Sequence, residues 1–219
     1  MLVKNYMTRH PVMIAPTMSV VEAQGIMAET QARHLPVSKK GKRLVGLITR
    51  QRLRIAPAEL GSLNVWEITR YLSNLTVKDV MVKGKDVITT QPDATLEEAA
   101  QLMVQNHIGC LPVLEEGIVE GIITETDMLV ELAELLGGGA PGIRVTMRVP
   151  DTIGEFAKVT GAIASRGWGI YASGGVPAPK HPGYWLLVVK VRDVPKDDLV
   201  ATLSEIKGQQ ILDVRECGG

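Results

Sequence analysis

Val3-Lys4-Asn5-Tyr6-Met7 returns as Val77-Lys78-Asp79-Val80-Met81, and the register holds for the next fifty residues. Pro16 matches Pro92, Glu22-Ala23 matches Glu98-Ala99, and Met27 matches Met103. Leu35-Pro36-Val37 matches Leu111-Pro112-Val113, and Gly46-Leu47-Ile48-Thr49 matches Gly121-Ile122-Ile123-Thr124. The offset stays between 74 residues (3 to 77) and 76 (16 to 92). A repeat of this length is one supersecondary unit copied whole, so most of the chain must fold as two similar halves.

Each copy reads as β-α-β-β-α. A short extended stretch, Val12 to Ala15 or Val87 to Thr90, ends near a proline. The helix that follows opens with a capping box in both copies, Ser19-x-x-Glu22 and Thr95-x-x-Glu98. Val20, Ala23 and Met27, and their partners Leu96, Ala99 and Met103, recur at helical spacing and predict a buried face. Strands are expected at 34–38 and 44–49 around Gly41, and at 110–114 and 119–124 around Gly117. A closing helix is expected from Thr126-Asp127 to Gly137. Between the copies, Val65, Trp66, Ile68 and Leu72 suggest a short amphipathic helix that clasps the halves.

Gly137 to Gly142 reads as a flexible linker, and the pattern then changes. Ile143, Val145, Met147 and Val149 alternate with Arg144, Thr146 and Arg148, the period of a half-buried strand. Thr152-x-x-Glu155 reads as another capping box, leading a helix with Phe156, Val159 and Ile163 on one face. Strands over 168–173 and 184–192 flank a Gly/Pro-rich loop at 174–183. A helix from Pro195 and a strand over 211–215 complete a β-α-β-β-α-β order, that of a ferredoxin-like sandwich.

Composition narrows the function. With 24 Lys+Arg against 24 Asp+Glu in 219 residues, nucleic acid is not the expected partner. Cys110 and Cys217 form neither a disulfide framework nor a zinc site, and no metal is expected. No apolar run has the length of a membrane span or a signal peptide, so a soluble cytoplasmic protein is expected. Nucleophile-elbow, Walker, H-E-x-x-H and paired-Cys motifs are all missing from the sequence, so a catalytic role is not expected.

The V-K-D-V-M opening, the I-G-C-L-P-V strand and G-I-I-T-E-T-D at 121–127 resemble the CBS-domain pair, or Bateman module. The C-terminal part resembles an ACT domain through its element order and the turn Asp151-Thr152-Ile153-Gly154-Glu155. The combination resembles proteins of the acetoin-utilisation AcuB type. The expected fold is therefore mixed, α+β and α/β: repeat one with the inter-repeat helix at 1–75, repeat two at 76–137, a linker at 138–142 and an ACT domain at 143–219.

The resemblance implies a regulatory ligand, an adenine nucleotide (AMP, ADP or ATP) or S-adenosylmethionine, in the cleft between repeats. Asp127 either reads the ribose hydroxyls or caps the helix; Thr124 and Thr126 sit where hydroxyls and free helix N–H groups meet phosphate. From the opposite copy, Ala32, Arg33 and His34 are expected to face the cleft, with Gly109 leaving room and Ala15 and Val20 supplying apolar surface to the base. Arg33 offers phosphate a permanent planar cation. Cys110 is expected to be a small buried residue.

Repeat one departs from the pattern. Its run is Thr49-Arg50-Gln51-Arg52, and an arginine cannot accept ribose hydroxyls, so one competent nucleotide site is expected; Arg52 retains the option of a phosphate. In the ACT-like part, Asp151 and the open backbone at Gly154 mark an effector site for an amino acid or other small metabolite. The alternative is that this part only pairs sheets, with half of the cluster Trp168, Tyr171, Tyr184 and Trp185 at an interface rather than in a pocket. The resemblance also implies a homodimer and a regulated enzyme partner; a ligand-independent scaffold is the competing reading.

Overall fold

The structure, a computed structural model, describes residues 1–39, 42–53 and 74–218. The expected inter-repeat helix with Trp66, and the turn at Gly41, lie outside the described residues. The chain divides into two compact units, Met1–Met128 and Leu129–Gly219.

In the first unit each copy contributes a helix and a hairpin. Helix α1 (Val20–Glu29) is followed by β2 (His34–Lys39) and β3 (Arg43–Thr49). The second copy has α3 (Leu96–Asn106), β5 (Cys110–Glu115) and β6 (Ile118–Thr124), then α4 (Glu125–Leu135). Both expected capping boxes form: Ser19 Oγ accepts from the Glu22 amide at 3.1 Å, and Thr95 Oγ1 from the Glu98 amide at 3.1 Å. The first strand of each copy contracts to one parallel bridge, Ile14 to Val37 and Thr90 to Val113, because Pro16 and Pro92 end the extended run at once.

The opening segments are exchanged. β1 (Thr8–Arg9) pairs with β6 of the second copy, while β4 (Val82–Lys83), which follows the short helix α2 (Val77–Val80), pairs with β3 of the first. The main chain repeats the exchange: Val3 N–H donates to Ala94 O (2.9 Å) and Val77 N–H to Met18 O (2.9 Å). Val3 is buried with Leu96, Ala99 and Leu111, and Val77 with Val20, Ala23 and Leu35. Each repeat's core is thus completed by the other repeat's first residues. β3 and β6 meet at Arg43 and Ile118, joining both hairpins in a six-stranded sheet.

The second unit has the expected β-α-β-β-α-β order. β7 (Gly142–Pro150), β8 (Gly169–Pro177), β9 (Tyr184–Arg192) and β10 (Gln210–Cys217) form an antiparallel sheet in the order β10-β7-β9-β8. The alternation along β7 holds throughout, with Ile143, Val145, Met147 and Val149 buried. α5 (Glu155–Ser165) and α6 (Lys196–Ser204) cover that face through Val159, Ile163, Leu199 and Leu203.

One expectation fails here, and Phe156 is 48% exposed where Val159 and Ile163 are buried. The helix begins two residues later than its capping box implies: Gly154, at φ +93°, is the N-cap, and Glu155 is its first residue. Glu155 instead holds the turn to the rest of the unit, accepting from Thr152 Oγ1 (3.3 Å), Lys158 Nζ and Gln209 Nε2 (2.8 Å). Those donors keep its carboxyl below the usual range, the Gln209 amide foremost.

β8 also runs further than expected, to Pro177, despite Gly174 and Gly175. These small residues have a reason. The chain after α4 crosses this strand, with Leu136 beside Gly174, and Gly137 against Tyr171 and Ala172. The Gly137–Gly142 stretch is therefore held rather than loose. Lys190, 3% exposed, donates from Nζ to the carbonyls of Gly137 (2.6 Å) and Ala140.

Candidate functional site

Strand β6 ends at Thr124 and helix α4 starts on the next residue. The turn is closed by Asp127, whose Oδ2 accepts from the Thr124 amide (2.7 Å) and hydroxyl (2.8 Å). Asp127 N–H returns a bond to Thr124 Oγ1 at 3.4 Å. Asp127 is thus a cap, as the helix-end reading requires, and its Oδ1 takes no hydrogen bond among the described residues. One free carboxylate oxygen has lone pairs for two hydroxyl hydrogens, so capping and ribose reading are compatible.

In front of this turn lies a cleft of about 450 Å³ between the repeats. Thr124 and Thr126 line it from one side, and Ala32, Arg33 and His34 from the other, with Gly109 at its floor. The expected residues are brought together with three exceptions, and the first is Asp127, which fastens the turn behind Thr124 but is not itself part of the lining. Ala15 is exposed but outside the lining, and Val20 is 1% exposed in the core of repeat one. Val20 is the first residue of α1 and its side chain completes the packing of Ala23 and Met27, which leaves none of it for a base.

Glu125 belongs to the same wall and was not among the expected binding residues. Its amide donates to Gly109 O (3.1 Å), and its carboxylate lies 3.1 Å from where a Cβ on residue 109 would stand. A side chain at 109 would make that carboxylate give way by a few tenths of an ångström. The signal was available in the repeat itself, since Arg50 holds the matching position and its amide makes the matching bond to Arg33 O (2.8 Å).

Burial keeps His34 below its ordinary pKa, and the adjacent Arg33 guanidinium adds to this while Glu125 opposes it. His34 is accordingly neutral near pH 7. Burial, reinforced by Glu125, pushes the Cys110 thiol up to about 12, so it behaves as the small apolar residue expected.

A second cleft, about 740 Å³, is the repeat-related copy of the first. Thr49, Arg50, Gln51 and Arg52 take the positions of Thr124, Glu125, Thr126 and Asp127. The turn survives the loss of the acid: Arg52 N–H still donates to Thr49 Oγ1 at 3.3 Å. Arg33, His34, Gly109 and Glu125 line both clefts and form the wall between them.

In the second unit, Asp151 is exposed and lines a pocket of about 350 Å³ with Thr152, Glu155, Phe156 and Trp185. Gly154 is exposed too, but it is not part of that lining. Among the described residues, no cluster of His, Cys, Asp and Glu is placed to hold a metal, and no helix is long and apolar enough to cross a membrane.

Tandem β-hairpins with exchanged opening segments and two related clefts define a paired-repeat module, and the CBS-domain model matches residues 3–59 and 77–134. The chain belongs to the CBS-domain family. It is similar to protein MJ1225 of Methanocaldococcus jannaschii, with 33% identity over 135 residues, covering 58% of this chain and 46% of that protein. Among solved structures it resembles the acetoin utilization protein assigned as AcuB from Vibrio cholerae, at 30% identity and TM-score 0.52, covering 64% of this chain and 98% of that one. It also resembles the CBS domain pair of protein MJ0100, solved in complex with 5′-methylthioadenosine and S-adenosyl-L-methionine, at 25% identity and TM-score 0.50, covering 61% and 97%. The chain spans less than half the length of the curated relatives it matches.

Proposed function

We propose that this chain is a non-catalytic regulatory protein that senses an adenine nucleotide (AMP, ADP or ATP) or S-adenosylmethionine in the cleft beside Thr124. The observation that carries this reading is the turn at Thr124, which lines one cleft with Arg33 and is fastened from behind by Asp127 through one carboxylate oxygen, leaving the other free. Ribose goes to the free oxygen of Asp127, phosphate to Arg33 and the Thr126 hydroxyl, with Thr124 holding Asp127 in place, and the base to the apolar side of the cleft at Pro11 and Val12. The adenosyl ligands of the MJ0100 pair support the ligand class. Residues 143–219 act in this reading as an ACT domain that takes an amino acid or other small effector near Asp151, or mediates assembly. Repeats at 1–75 and 76–137, a linker at 138–142, a cytoplasmic setting, a homodimer and a regulated enzyme partner complete the proposal.

Calorimetry with AMP, ADP, ATP and S-adenosylmethionine tests it. Binding that disappears in Asp127→Ala, with the thermal midpoint monitored as a folding control, supports the assignment. No heat with any of the four at millimolar ligand overturns it.

A second reading, a ligand-independent scaffold, has its own support. Leu129, Leu132 and Leu135 on α4 are each at least half exposed in the single chain, an apolar stripe suited to association. An identical oligomer and midpoint with and without the nucleotide panel favours this reading.

A further inference from the structure

The second cleft keeps the repeat's turn but changes its chemistry. Where Asp127 stands in one copy, Arg52 stands in the other, on a backbone still fastened by Thr49. Arg50 and Arg52 line this cleft, and Arg33 reaches it from the shared wall. Against these three guanidinium groups stand two carboxylates, Asp86 and Glu125. Arg50 Nη2 is already donating to Ala32 O (3.2 Å) and Met27 O (3.4 Å), which fixes its fork at the cleft edge with other N–H groups to spare. Arg52 and Arg33 are exposed and make no side-chain hydrogen bond among the described residues.

The acid that would accept ribose hydroxyls at this turn is replaced by an arginine, which only donates, while the three guanidinium groups match the oxygens of a phosphate chain in geometry and charge. We propose that the second cleft is a seat for a polyphosphate chain, not for a second nucleoside. The chain has two sources: the β- and γ-phosphates of a nucleotide whose ribose sits on Asp127, passing over the shared wall at Arg33, or a free inorganic polyphosphate. The first source rests on the nucleotide reading above and sharpens it to a nucleoside triphosphate; the second does not need it.

The test is calorimetry of the full chain with AMP, ATP and inorganic tripolyphosphate in magnesium-free buffer, on the unaltered protein, Arg52→Ala and Asp127→Ala. Arg52 is exposed, so its removal should leave the thermal midpoint unchanged. The expected result is ATP binding about tenfold tighter than AMP, with that preference abolished in Arg52→Ala and AMP affinity unaltered there. Asp127→Ala should weaken AMP and ATP alike. Equal affinities for AMP and ATP in the unaltered protein, or an Arg52→Ala loss shared equally by both, overturns the seat and leaves the nucleotide reading standing. Tripolyphosphate binding that needs Arg52, with no nucleotide bound, supports the seat with the free chain as its source and overturns the nucleotide reading. No binding of any of the three overturns both.

Discussion

The thioether of Met7 occupies the space that a side chain on Gly121 would need. A Cβ there would meet Met7 Sδ, lie 2.9 Å from Met7 Cγ and come within 3.0 Å of Thr8 O. The same contact recurs between Met81 and Gly46, where Val82 O would lie 2.7 Å from the added carbon. The paired glycines are therefore the places where each exchanged opening segment crosses the other repeat's last strand.

Gly121→Ala should cost about 1–3 kcal/mol, because part of the obstruction is backbone and cannot turn aside. Gly25→Ala is the matched control. It sits in α1 with nothing within 4 Å of the added carbon, so it should gain about 0.5–1 kcal/mol. Urea unfolding of the two variants should move in opposite directions; a gain from both would remove the close-approach argument.

Lys190→Met should destabilise the second unit by about 1–3 kcal/mol, since the carbonyls of Gly137 and Ala140 lose their donor. Chemical unfolding followed by tryptophan fluorescence reads this. A variant as stable as the parent would mean that solvent serves those carbonyls equally well.

Because burial holds the folded pKa of His34 below its unfolded value, the unfolded chain binds more protons as pH falls through and below about 6.5. Stability from this residue is present above that value and is lost as pH drops. An anion in the adjacent cleft favours the imidazolium, so nucleotide binding should take up protons and tighten from pH 7.5 to 5.5. His34→Gln should flatten both profiles, and calorimetry in buffers of different ionisation heat counts the protons.

Native protein should react with iodoacetamide at Cys217 and not at Cys110, which is 3% exposed with its thiol pushed up to about 12. Denatured protein should take two labels per chain. Mass spectrometry after tryptic digestion distinguishes the sites, and fast native labelling of Cys110 would contradict its burial.

Much of this fold was legible because it rests on local chemistry. Ser19 with Glu22 and Thr95 with Glu98 announce helix starts that depend on four residues each, and β7 shows its buried face by alternation alone. The exchange of opening segments was not legible. Val3 and Val77 are equivalent in sequence, and a one-dimensional repeat carries no mark of which copy either one packs against. Glu155 misled for a related reason: the spacing of a capping box was present, but Gln209, more than fifty residues on, takes the carboxylate instead. Gly137 to Gly142 reads as loose in composition, and Lys190 fastens it from as far away.

The site was legible where it follows the repeat. Thr124, Thr126, Arg33, His34 and Gly109 gather in one cleft because hairpin ends and helix starts superpose between copies. Val20 went astray because family position does not reveal whether an apolar residue faces ligand or core, and here the core claims it. Glu125 was overlooked because its part depends on Gly109, a neighbour through the sheet and not along the chain.

The traded openings have one further consequence, for how such a tandem comes to exist. A lone repeat would carry an arm that fits only a second copy and a core that waits for that copy's arm. Expressed singly, it should be an interlocked pair of identical chains, and the tandem is that pair written into one polypeptide. Its two clefts, born alike, were then free to diverge, since an exchange such as Asp to Arg could alter one without touching the other.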